Sequence, residues 1–149
     1  MGEVNLIAGN ILSFTDFPFV HGITTTRFGN CANGRDREVN ELLCQITDSQ
    51  QVFKLDVEHG DGIALAANNH TDDKFNYLTA DAMIRHKQCP TRSLLVSNTG
   101  DCPVVLLAHR LGNLGAVIHS GRAGTELNVV GKTAAKMTED YHCHPEDIL

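Results

Sequence analysis

The sequence predicts a mixed α/β domain, a mixed β-sheet core with flanking helices, and three observations carry that prediction. Four apolar runs, LTADAMI, SLLVSN, PVVLLA and LGAVIH, follow one another from Leu78 to His119, each strand-length and separated by Gly, Pro, Asn or charged residues. Apolar residues recur at helical spacing in two places: Val39, Leu42, Leu43 and Ile46, then Leu127, Val130, Ala134, Met137 and Tyr141. Finally, 149 residues with 42% apolar content close one sizeable core but not comfortably two, so a single domain over 1–149 is expected.

The elements can be justified in order. HGITTTRFG has the β-branched density of a strand and ends in a glycine turn, after which RDREVNELLCQI reads as a helix. QQVFKLDVEHGDGIALAANN reads as two extended pieces broken at His59-Gly60, and the polar run Asn68 to Asn76 reads as a loop. The four apolar runs are the expected central strands. Beyond Gly124 a long helix is expected, with Thr125 placed to cap its start.

Composition excludes several function classes. A net charge of −6 argues against nucleic-acid or anionic-membrane partners, which are held by clustered Lys and Arg. The N-terminal MGEVNLIAGNILSF lacks a basic stretch before an apolar core, and no segment is apolar for long enough to span a bilayer. Five scattered cysteines, with no CxxC pair, fit reduced thiols in the cytoplasm better than a disulfide framework or a closed zinc knot. A small-molecule or protein partner is therefore expected.

The candidate chemistry sits at the ends of extended segments, beside loops, where sites collect. Cys102 follows the turn Asn98-Thr99-Gly100-Asp101 and opens an apolar strand; it is either a small buried hydrophobe or a thiolate nucleophile or ligand. His119 closes LGAVIH and leads into SGRAG. Those glycines either serve only the chain's dihedral angles or let backbone N–H groups meet an anion at a helix N-terminus. His59, in VEHGDG, occupies a comparable position. His142 and His144 flank Cys143 but read as ordinary partners of a helix C-terminus.

The order VEHG, ADA, GDCPVVLL and AVIHSGRAG resembles the YfiH family, also called the laccase-domain or multicopper polyphenol oxidoreductase family, to which purine nucleoside phosphorylase activity has been assigned. HGITTTRFG resembles that family's early TTR segment, and PEDIL the segment before its I-G-P stretch, so the likeness runs over most of the chain. The resemblance implies a YfiH-like fold and a zinc ion held by His59, Cys102 and His119, which would also form the reaction centre. Two imidazoles and a thiolate are ligands zinc accepts, and three of them leave a fourth position open. A copper oxidase would need more histidines in clustered spacing. The implied substrates are a purine nucleoside, adenosine or inosine, and phosphate; water in place of phosphate would give an adenosine deaminase-type reaction.

Arg27 matches the arginine of the TTR segment and is a candidate substrate contact, as are Gly121, Arg122 and Gly124 in the glycine turn. Asp81 and Asp101 match family aspartates and are expected to orient the ligands or fix local backbone. The chain departs from the family in that turn, where the pattern is H-x-G-W-R-G: Arg122 occupies the tryptophan place and Ala123 the arginine place. Alanine has no donor, which counts against full activity, though not against the metal, unless Arg122 substitutes from the neighbouring position. The family also extends beyond the point matching Leu149, so a fragment or shortened homologue is expected, with a cut sheet edge favouring a homo-oligomer. Two other functions use the same residues: a metal-free cysteine hydrolase or amidase with Cys102 as nucleophile and His119 as base, as in toxin-type glutamine deamidases of related fold, and a non-catalytic metal- or partner-binding remnant.

Overall fold

The computed structural model describes residues 4–7, 11–14, 17–24, 36–67, 74–87 and 92–149. Two β-sheets pack face to face, each with its outer face against a helix. The first sheet has the order β5-β7-β10-β9, from Ile63–Leu65, Ala82–His86, Leu114–His119 and Val104–Ala108. β5 runs parallel to β7, and β7, β10 and β9 are successively antiparallel. The second has the order β6-β4-β8, from Phe75–Thr79, Gln51–Asp56 and Ser93–Val96, all parallel. A small antiparallel sheet of β1 (Val4–Ile7), β2 (Ile11–Phe14) and β3 (Ile23–Thr24) precedes them.

Side-chain alternation along the strands explains the layering. Ala82, Ile84, Leu114, Ala116 and Ile118 point one way and meet Val129 and Met137 of helix α3 (Val129–Tyr141). Met83 and Val117 point the other way and join Phe53 and Leu55 of β4 in the core between the sheets. On the far side of β4, Val52 packs with Phe75 and with Cys44 of helix α1 (Asp36–Thr47). Burying a side chain such as Phe53 or Met83, both fully enclosed, contributes about 1.5–3 kcal/mol before entropy is counted.

Four details differ from the sequence expectation. LTADAMI is not one strand: β6 ends at Thr79, the chain turns at Ala80-Asp81, and β7 starts at Ala82. Phe75 and Asn76, both expected in the loop Asn68 to Asn76, belong to β6 because β4 supplies a parallel partner for their backbone. The four apolar runs divide between two sheets, SLLVSN pairing with β4 and the other strands with each other. The C-terminal helix is two helices: α2 (Arg122–Glu126) stops at Leu127, and Asn128, at φ 58°, breaks the path before α3. Thr125 therefore lies inside α2, whose N-cap is Gly121, and its hydroxyl donates instead to the Ser120 carbonyl at 3.1 Å. The buried face of α3 is Val129, Thr133 and Met137, while Leu127 is exposed.

Of the remaining expectations, residues 25–29 of HGITTTRFG and the run 68–73 lie outside the described residues. At the β9 edge the C-terminus adds a short pairing: Ala108 and Leu149 exchange backbone hydrogen bonds of 3.1 and 2.8 Å, and His109 bridges Ile148. Among the described residues no helix is long and apolar enough to cross a membrane.

Candidate active site

Three loops meet where β10 ends and β9 begins. His119 is the last residue of β10 and is paired in register with Val104 of β9. One residue on, the Ser120 N–H donates to the Pro103 carbonyl at 2.9 Å, so the entry to β9 is tied to the exit from β10. Cys102 thereby comes to lie beside Gly121. The Thr99 hydroxyl donates to the Cys102 carbonyl at 2.6 Å and closes the turn before it.

Gly121 marks where the thiol and the imidazole converge. The point at which a Cβ would stand lies 3.1 Å from His119 Cε1, 3.2 Å from Cys102 Sγ and 3.6 Å from His119 Nε2. Glycine leaves that space open. His59 approaches from the turn after β4, its ring edge-on to that of His119 with centroids 5.1 Å apart and planes at 82°. The three side chains, distant in sequence, thus share one corner of the molecule, with His119 buried, Cys102 half-buried and His59 exposed. Among the described residues no three His, Cys, Asp or Glu side chains form a ready-made metal cluster.

Asp81 organises both histidines. Its fully buried carboxylate, at the turn between β6 and β7, accepts the His59 N–H at 2.9 Å and the Gly60 N–H at 2.7 Å. It also faces His119 Nδ1 at 3.2 Å, while its own backbone carbonyl accepts the His119 N–H at 2.7 Å. A carboxylate that accepts from Nδ1 leaves the lone pair on Nε2, the nitrogen nearer the Gly121 gap. That is the orientation in which an outer carboxylate presents a histidine to a metal. In donor chemistry, the His119 imidazole and the Cys102 thiol at the gap, with the His59 imidazole against His119, are ligand types that suit zinc.

The other expected residues are placed unevenly. Asp101 is exposed, with Oδ1 3.8 Å from Cys102 Sγ, a long contact suited to a weak S–H donor. Arg122 opens α2 and is exposed beside the gap. Gly124 is needed for a close approach: a Cβ there would stand 2.9 Å from the Gly60 carbonyl oxygen. Arg27 lies outside the described residues. The helix that opens at the glycine turn has five residues rather than the long run expected, so its summed dipole is small. Gly60, which sequence reasoning passed over, contributes an N–H to Asp81 and a carbonyl against α2; its signal was the His-Gly pair inside VEHGDG.

The histidines without motif support have local roles. His21 Nδ1 lies 2.8 Å from the Phe19 carbonyl, His86 stacks on Tyr141, and His109 Nδ1 accepts the Leu111 N–H at 3.3 Å. A cavity of about 350 Å³ opens at the other end of β10, between Phe19, Leu94, Leu106 and Gly115; none of the candidate residues lines it.

Comparison with known proteins agrees with this fold. A purine nucleoside phosphorylase of Clostridium acetobutylicum is 31% identical over 142 residues, covering 93% of this chain and 57% of its own length. The chain thus spans a little over half of that relative. In three dimensions it is similar to YlmD from Geobacillus stearothermophilus, with a TM-score of 0.78 at 17% identity over 99% of this chain and 63% of that one. It is also similar to the hypothetical protein YfiH of Bacillus licheniformis, with a TM-score of 0.63 at 17% identity over 74% of this chain and 43% of that one. Residues 31–149 match the family described as multi-copper polyphenol oxidoreductase laccase, and the chain belongs to that family.

Proposed function

We propose that the chain binds a purine nucleoside and phosphate at the His59, Cys102 and His119 corner and cleaves the glycosidic bond by phosphorolysis. The observation that carries this reading is the shared gap at Gly121, where the Cys102 sulfur and the His119 ring face one point and Asp81 fixes the ring's orientation. The phosphorylase name of the 31% identical relative supports the substrate class. In the reaction a phosphate oxygen bonds to the anomeric carbon while the carbon–nitrogen bond breaks. The purine leaves with that electron pair and takes up a proton.

The chain's own residues divide the work. Arg122, exposed at the head of α2, supplies a planar fork of donors for phosphate in place of the family's arginine. His59, on the solvent side of His119, faces the arriving nucleoside. Buried Asp81 keeps His119 Nε2 presented to the gap. A zinc ion held by His59, Cys102 and His119 would supply Lewis-acid polarisation of a bound oxygen.

The same gap favours one further reading, because a thiol and an imidazole facing one point are also a nucleophile and its base. A cysteine hydrolase or amidase of that kind needs no metal. Incubating the purified protein with inosine or adenosine, with and without phosphate and Zn²⁺, separates the readings. Phosphate-dependent release of hypoxanthine or adenine with ribose 1-phosphate is the expected result. Ammonia from adenosine without phosphate would indicate the deaminase. Zinc retention with neither product would favour a binding remnant, and metal-free amide hydrolysis abolished by thiol alkylation would favour the hydrolase.

A further inference from the structure

The residue that presents its imidazole to His119 is held in an unusual backbone state. His59 has φ 61°, a left-handed conformation that costs a side-chain-bearing residue roughly 1–2 kcal/mol and is ordinarily left to glycine, with asparagine, aspartate and histidine the commonest exceptions, as at Asp48, Asn128 and His142 of this chain. Its neighbour Gly60 would accept the conformation without cost, yet the turn places it at the histidine. Such states persist only where the surroundings over-determine them.

Two restraints bear on this turn from opposite sides. The Asp81 carboxylate takes the His59 and Gly60 N–H groups, one on each oxygen, at 2.9 and 2.7 Å. Two successive N–H groups pointing at one anion is an arrangement that this turn creates and an extended chain does not. From the other side, α2 lies so close that a Cβ at Gly124 would stand 2.9 Å from the Gly60 oxygen, 3.3 Å from Val129 Cγ1 and 3.5 Å from the His119 carbonyl oxygen. An unbranched backbone at Gly124 is therefore what lets α2 seat against the turn.

We propose that Asp81 and Gly124 are positioning residues that clamp the His59-Gly60 turn in its left-handed state, so that the His59 ring is delivered edge-on to His119. The clamp itself rests on geometry; its consequence for nucleoside cleavage rests on the function proposed above. Asp81 has a double task, orienting one histidine through Nδ1 and the other through its backbone, so one carboxylate sets the relative placement of both rings.

The test compares glycine with alanine at position 59. In a left-handed turn His59→Gly melts above His59→Ala, because alanine carries the steric penalty; in a relaxed turn the order reverses, because glycine gives the unfolded chain more freedom. The expected result is glycine above alanine in the otherwise native chain, and alanine equal to or above glycine when Asp81→Asn is added. Alanine equal to or above glycine in the native background overturns the clamp, as does an unchanged order with Asp81→Asn.

Gly124→Ala gives a second readout in the unloaded protein: the contact between His59 and His119 ring protons, which the ring geometry predicts for the parent by NMR, should be lost while the fold's other ring contacts stay. Retention of that contact excludes Gly124 from the clamp. Zn²⁺ titration decides the link to metal binding: Asp81→Asn and Gly124→Ala should weaken binding about 10–100-fold. A parent protein that binds no Zn²⁺ refutes the proposed metal centre, while the melting order at position 59 decides the clamp independently.

Discussion

Gly121→Ala tests the candidate site with little confounding from stability. Gly121 has φ −65° and ψ 179°, a conformation open to any residue, so the backbone does not oppose alanine. Loss of unfolded-chain freedom favours the variant by about 0.4–1 kcal/mol. Against this stand contacts of 3.1 Å to His119 Cε1 and 3.2 Å to Cys102 Sγ, shorter than the roughly 3.5–4.0 Å of ordinary van der Waals contact. The ring and the sulfur must recede by roughly half an ångström each, and the two effects leave net stability within about 1 kcal/mol of the parent. Catalysis is less forgiving, since a displacement on the order of 1 Å costs roughly 100-fold in rate. Phosphorolysis of inosine, followed by hypoxanthine release, should lose about 10–100-fold in kcat/KM, or about 1.4–2.7 kcal/mol of transition-state stabilisation. The urea midpoint should barely move. A variant as stable as the parent with kcat/KM within about twofold would show that the chemistry does not pass through this gap.

Other perturbations have equally definite outcomes. Met137→Ala empties a fully buried position between α3 and the β7–β10 face, so unfolding free energy should drop by about 2–5 kcal/mol in urea titrations; a drop under about 1 kcal/mol would mean α3 does not seal that core. Burial pushes the Cys44 thiol above its ordinary range, so the folded state favours the neutral form and stability is intact below that range and lost as pH rises through it. Cys44→Ala should therefore lose less stability than the parent between about pH 8 and 10, and equal losses would contradict the burial argument. Arg122→Lys keeps the charge but loses the planar fork; KM for phosphate should rise about 10-fold with nucleoside KM unchanged, and an unaltered phosphate KM would remove Arg122 from the site.

Many of the individual strands and helices could be read from the chain because alternation and helical spacing are local properties. Val39 to Ile46 gave the helix α1, although Leu42 and Ile46 of that stripe prove exposed and Asn40 and Cys44 are the buried positions. The division into two sheets was not legible, since SLLVSN and PVVLLA look alike as isolated runs and only pairing distinguishes them. Ala80-Asp81 was a turn hidden in an apolar run; the aspartate was the available clue, and its carboxylate proves to be committed to His59, Gly60 and His119. Asn128 broke the C-terminal helix where apolar spacing alone suggested continuity. For the site, family resemblance named His59, Cys102 and His119, but spacing along the chain says nothing of proximity. The close approach of Gly124 to Gly60 depends on where α2 lands, which no local pattern encodes.

The most direct measurement is anomalous diffraction at the zinc edge from crystals of the purified chain grown with Zn²⁺. The account predicts one strong peak in the gap beside Gly121, about 2.0–2.1 Å from a nitrogen of His59 and of His119 and about 2.3 Å from Cys102 Sγ. A peak only at His142 or His144, or none at the gap under saturating zinc, would contradict it.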